Sequence, residues 1–210
     1  GGIVIWMSGL LTTFVLWLIG SLAPAAALAP LDFLSRSQTW IPFYTLLLGA
    51  GVGFLNDFYD VHYGGKGIRL RARLLFVAML AFLIAWWFYT KLDVVSIGLP
   101  YDGELYLGVL IIPFFMLMAL ALYASGVIDG IDGLSGGVFA TIFTAYAVIA
   151  YYQQQFDLAA FCATVAGATL AFLWFNIPPA RFWMTETGTM ALTLTIAVVV
   201  FMSDNLGAGH

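Results

Sequence analysis

Seven stretches of the chain are nearly free of charge and close to the length of a membrane-crossing helix. They run over 3–22, 40–55, 74–90, 106–128, 134–152, 158–175 and 189–202. A spanning helix needs about 20 mostly apolar residues, so the second and seventh are short. The pattern predicts an all-α fold, a polytopic transmembrane helical bundle of about seven spans. Polar residues gather between the stretches.

Composition makes this pattern decisive. Hydrophobic residues are 63% of the chain and charged residues 9%, against roughly 25% charged in a soluble domain. A surface this poor in charge needs the lipid bilayer as its solvent. The single cysteine, Cys162, excludes an intrachain disulfide and a cysteine-based zinc site. The net charge of −4 and the lack of a basic tract exclude nucleic acid as a partner. No secretory signal, repeat or linker breaks the chain, so residues 1–210 read as one transmembrane domain. The opening Gly1-Gly2 and the closing Gly207-Ala208-Gly209-His210 are expected to be the edges of something longer, incomplete at both ends.

Charge then orients the bundle. Lys66, Arg69, Arg71, Arg73 and Arg181 fall on one side, and only Arg36 and Lys91 on the other. Positive charge marks the cytoplasm. The N-terminus and the loops 55–73, 129–134 and 176–188 are therefore expected inside, and 23–39, 91–105 and 153–157 outside.

The inner loops carry the better patterned chemistry. They hold Asn56-Asp57-Phe58-Tyr59-Asp60, Asp129-Gly130-Ile131-Asp132-Gly133, Asn176-Ile177-Pro178-Pro179-Ala180-Arg181 and Glu186. Carboxylates on one face repel one another unless cations sit among them, and acids at membrane depth are usually functional. Magnesium takes oxygen ligands, often one or two carboxylates with substrate phosphates. The basic run Lys66, Arg69, Arg71, Arg73 follows the first acids directly. The mixture points to a phosphorylated substrate bridged by a metal. Asp129 and Asp132, three apart, would share a side of a helical turn, and a helix starting near Leu134 would favour anions at its N-terminus. Taken singly, each group has a plainer reading: Asp57 and Asp60 as helix-end caps, Asp129 and Asp132 as a polar turn, the arginines as topology signals, Glu186 and His62 as surface residues. The joint placement carries the argument. The spans themselves carry almost no charge, which disfavours a transporter or channel.

Three stretches resemble the polyprenyl-phosphate N-acetylhexosamine-1-phosphate transferases. The most specific is AFLWFNIPPARFWMTETGTMAL (171–192), then DGIDGLSGG (129–137), then GVGFLNDFYDV (51–61) followed by GIRLRARLL (67–75). The opening GGIVIW is similar to the end of an early motif of that family. The resemblance implies the core of a ten-span helical bundle, often a homodimer, with its active face at the cytoplasmic side of the bacterial inner membrane. It also implies a magnesium-dependent reaction that moves a sugar 1-phosphate from a UDP-linked N-acetyl sugar onto undecaprenyl phosphate and releases UMP. The opening, the WFNIPPA stretch and Trp183-Met184 favour the muramoyl-pentapeptide branch, whose product is lipid I of peptidoglycan synthesis.

Carried over residue by residue, the resemblance makes Asp57, beside Asn56, the catalytic acid acting on the lipid phosphate. It makes Glu186 the magnesium ligand, with help from Asp57. Asp129 and Asp132 line the nucleoside pocket, with Asn176 beside them, and Trp183 stands where a Phe stacks on uracil. Arg73 stands at a Lys of the phosphate or nucleotide site, with Arg71 adjacent and Lys66 in the same basic run. The chain departs from the family pattern at several motif positions. Asn56 replaces an Asp, Asp60 a Lys, and Tyr123 and Gly126 two Asn; Thr185-Glu186 replaces Gly-Asp. Two alternatives therefore stand beside the muramoyl reading. One is a transferase of N-acetylglucosamine 1-phosphate; the other is a silent member that binds nucleotide sugar or lipid.

Overall fold

A computed structural model describes residues 1–22, 40–64, 67–99, 103–126 and 131–207. Its helices are α1 (Gly2–Leu22), α2 (Trp40–His62), α3 (Leu70–Lys91), α4 (Ile111–Gly126), α5 (Leu134–Tyr152), α6 (Phe156–Asn176) and α7 (Thr185–Gly207). Seven helical segments among the described residues are long and apolar enough to cross a membrane, as the sequence pattern predicts. In hydrocarbon each backbone N–H and C=O must be satisfied within the segment, and the helix does this. The chain is a multi-pass membrane protein.

Helix α7 is the hub. Of its spanning window 83% is buried, against 22% for α1. It packs against α1, α2, α4 and α5, while α6 lies on α5 and α1, and α3 lies on α4. Little hydrophobic force drives helices together in lipid, so close approach of small residues matters. A Cβ at Gly53 of α2 would run into the Glu186 carbonyl of α7. The hydroxyls inside α7 are satisfied locally: Thr193 Oγ1 donates to the Thr189 carbonyl at 2.7 Å and Thr195 Oγ1 to the Ala191 carbonyl at 2.7 Å. At the end far from Glu186, Phe88, Phe115 and Phe201 join α3, α4 and α7, with the Phe115 and Phe201 ring centroids 4.8 Å apart, edge to face.

Several boundaries differ from the sequence pattern; among them, α3 begins at Leu70 and not at 74, so Arg71 and Arg73 lie on its first turn and not in a loop. Helix α2 continues to His62, so Asn56, Asp57 and Asp60 lie on its last turns and not in a loop over 55–73. Backbone hydrogen bonding is indifferent to polarity, so the helix outlasts its apolar run. Helix α7 begins at Thr185 and has 23 residues, because its Thr-rich first turns are helical yet weakly apolar. The fourth span begins later than 106: Ser96–Leu99 and Gly103–Tyr106 pair as an antiparallel hairpin, and a 3-10 turn over Gly108–Leu110 leads into α4. By contrast, α5 occupies 134–152 as predicted.

Aromatic residues sit at both ends of α2. Trp40 stacks on Tyr44 with centroids 5.5 Å apart, and at the other end Phe58 stacks on His62 at 4.9 Å and Tyr59 on Tyr63 at 5.5 Å. Such rings settle at membrane–water interfaces.

Candidate active site

The site forms where α2, α3, α4 and α7 meet. Asp57 reaches from α2 to the first turn of α7. Its Oδ2 accepts from Thr185 Oγ1 at 2.6 Å, from the Thr187 backbone N–H at 3.0 Å, and from Thr187 Oγ1. The bland reading of Asp57 as a helix-end cap is thus correct in part, though the helix it caps is α7 and not its own. A carboxylate there also complements the helix dipole. Thr185 has φ +58°, a left-handed conformation that a β-branched residue rarely takes. The family pattern has Gly at this position, which takes it freely. The Thr185–Asp57 bond holds the strained turn.

Glu186, the next residue, faces α3 and α4. Its Oε1 forms an ion pair with Arg73 Nη1, and its Oε2 accepts from the Tyr123 hydroxyl at 3.0 Å. Arg73 and Glu186 side chains are only 17% and 18% exposed, and Tyr123 is fully buried. Arg71 lies two residues away on α3, roughly 200° round the helix, and is exposed outside this cluster.

Asn56 and Asp60 serve the entry to α3. Asn56 is buried, and its Oδ1 accepts from the Ile68 N–H at 2.8 Å, while Asp60 Oδ1 accepts from the Gly67 N–H at 3.2 Å. These bonds fold the segment before Arg71 and Arg73 onto α2. Asn56 is therefore a positioning residue here, with its carbonyl oxygen engaged.

A second clasp joins the turn before α5 to the segment between α6 and α7. Asn176, buried at the end of α6, accepts from the Gly133 N–H at 3.0 Å and donates from Nδ2 to the Phe182 carbonyl at 3.0 Å. Asp132 accepts from the Ala180 N–H at 3.1 Å and from Trp183 Nε1 at 3.0 Å. Gly133 has φ +82° at the N-cap of α5. Asp132 lies in this turn and not on a helix. Trp183 is 61% exposed while its indole N–H is held by Asp132. Lys66 and Asp129 lie outside the described residues.

The structure thus sets Asp57 on Thr185 and Thr187, and Arg73 on Glu186 between them, at the first turn of α7, and separately brings together Asp132, Asn176 and Trp183. Sequence reasoning missed Tyr123, Thr185 and Thr187 as members of the site. The available signal was that Tyr123, Thr185 and Glu186 all depart from the family pattern. Among the described residues no group of three or more His, Cys, Asp or Glu could hold a metal. Asp57 and Glu186 nonetheless suit magnesium in kind, since it uses one or two carboxylates and takes its other ligands from water and phosphate.

Residues 39–204 match the family described as glycosyl transferase family 4. The chain is 32% identical over 189 residues to a phospho-N-acetylmuramoyl-pentapeptide-transferase of Clostridium beijerinckii, covering 88% of this chain and 58% of that one. It is 33% identical over 202 residues to one of Listeria innocua (94% and 59%), and 34% identical over 210 residues to one of Geobacillus thermodenitrificans (97% and 60%). The chain therefore spans less than two thirds of the length of these relatives. With three motif stretches converging on one end of a helical bundle, and a family match over most of its length, the chain belongs to glycosyl transferase family 4.

Proposed function

We propose that this chain forms the core of a phosphosugar transferase of peptidoglycan synthesis. It would move phospho-N-acetylmuramoyl-pentapeptide from its UDP donor to undecaprenyl phosphate, giving lipid I and UMP, at the cytoplasmic face of the bacterial inner membrane. The observation that carries this reading is the meeting of Asp57, Arg73 and Glu186, from three helices, at one end of the bundle. The relatives' shared name supports this choice of sugar.

In this reading an oxygen of the lipid phosphate attacks the β-phosphorus of the donor. The bond from that phosphorus to the bridging oxygen breaks, and UMP leaves with the electron pair. Arg73 offsets charge on the diphosphate. Trp183 offers its exposed face to the uracil, with Asp132 and Asn176 fixing the loop that carries it, and Asp129 adds an acid to the nucleoside side. Arg71, exposed on α3, supplies positive potential at the rim, and the resemblance adds Lys66 of the same basic run. Three donors hold Asp57 Oδ2 in place. Asp57 and Glu186 would hold magnesium, which supplies charge neutralisation on the transferring phosphoryl group. Positioning and electrostatics supply most of the catalysis in phosphoryl transfer.

The test is exchange of radiolabelled UMP into the UDP donor by the full-length protein, with and without magnesium. Magnesium-dependent exchange is expected, and its absence in well-folded protein would sink the proposal. A second reading, a silent member that binds nucleotide sugar, is favoured by the use of Asn56 in a turn. It predicts donor binding without exchange, and exchange only after Asn56→Asp and Glu186→Asp. Exchange with the N-acetylglucosamine donor alone would assign the other branch.

A further inference from the structure

We propose that Arg73 carries a phosphoryl-oxyanion site that Glu186 closes from within the protein, with Tyr123 setting how firmly it stays closed. A guanidinium offers five N–H donors in a rigid fork, suited to two parallel bonds with an oxyanion. Glu186 meets that fork with one oxygen only, Oε1 on Nη1. Its other oxygen is held by the Tyr123 hydroxyl at 3.0 Å. The carboxylate cannot then turn Oε2 to the rest of the fork. The consequence is on the other side of the guanidinium: Arg73 Nε is buried and has no hydrogen-bond partner among the described residues. A buried donor without an acceptor is unfavourable, the more so on a cation. A phosphoryl group, with three oxygens, satisfies both Nε and a terminal N–H, which Glu186 as held does not.

Glu186 is therefore an internal competitor for Arg73. A ligand that needs the open arrangement binds with an affinity reduced by the fraction of molecules that are open. Drawing Glu186 away opens the site, so whatever takes the carboxylate also favours the anion. Assigning the anion to the donor diphosphate rests on the transferase reading. The competition itself does not, and its test uses neither metal nor sugar.

The measurement is calorimetric titration of the full chain in detergent, with chelator present, against inorganic pyrophosphate and separately against a short prenyl monophosphate. Glu186→Gln is expected to tighten pyrophosphate binding about tenfold, or 1.4 kcal/mol. Tyr123→Phe should tighten it less, about twofold to threefold, and Arg73→Gln should abolish it. If only the prenyl monophosphate gains, the oxyanion site is that of the acceptor lipid. Unchanged or weaker binding of both anions to a folded Glu186→Gln protein overturns the proposal. Should that variant not fold, an affinity in Tyr123→Phe equal to that of the parent chain overturns it. Tightened anion binding without UMP exchange leaves this inference standing and removes the transferase reading; the converse result does the reverse.

Discussion

The two ends of α7 are held by different physics. At its N-terminal end, α2, α3 and α4 grip it through charge and hydrogen bonds: Asp57 on the first turn, Arg73 and Tyr123 on Glu186. At the other end α3 and α4 grip the same helix through Phe88, Phe115 and Phe201. Directional bonds fix where a carboxylate oxygen points, which chemistry requires. Ring contacts fix how closely helices lie, and they leave no charge to rearrange. The first end is thus fit for exchange of partners and the second for permanence.

Substitutions at the two ends should accordingly move different observables. The largest effect is expected from Glu186→Ala: UMP exchange falls by about 10³-fold, as for loss of an electrostatic group at a reacting centre, while helix content by circular dichroism is unchanged. Phe115→Ala should do the opposite. It should lower stability by about 3 kcal/mol, in the range for removing a buried aromatic, with exchange per folded molecule within about twofold; chemical unfolding in mixed micelles reads this. The smallest effect separates strain from bonding within the site end. Thr185→Val keeps the branched side chain at φ +58° but removes the hydroxyl that bonds Asp57, and should cost about 1–3 kcal/mol. Thr185→Gly loses the same bond yet relieves the backbone, and should stay within about 1 kcal/mol of the parent chain. Equal losses in both would show that the turn is not strained.

Much of this was legible in the sequence. The apolar runs gave seven spans, and α5 fell on 134–152 because glycines bound it on one side and glutamines on the other. The gathering of Asp57, Arg73 and Glu186 followed from parity and charge bias. The limits were also physical. Hydropathy fades at Asn56 while the helix runs on to His62, so the motif acids looked like loop residues. The bonds from Asp57 to Thr187 and from Tyr123 to Glu186 join residues 130 and 63 apart in the chain. No local pattern encodes such pairs. Tyr123 read as a departure from a motif, and only its position opposite Glu186 made it a member of the site.

The rings at the two ends of α2 also act as a depth gauge. At 1.5 Å per residue, Trp40 and Tyr63 lie roughly 35 Å apart along the helix, slightly more than the ~30 Å hydrocarbon layer. Asp57, six residues before Tyr63, lies roughly 9 Å along the helix from that ring. Because Gly53 seats α2 against the backbone of Glu186, α7 rides at the same draught. A bilayer of altered thickness would raise or lower both carboxylates together, so their spacing is insulated from the membrane while their immersion is not.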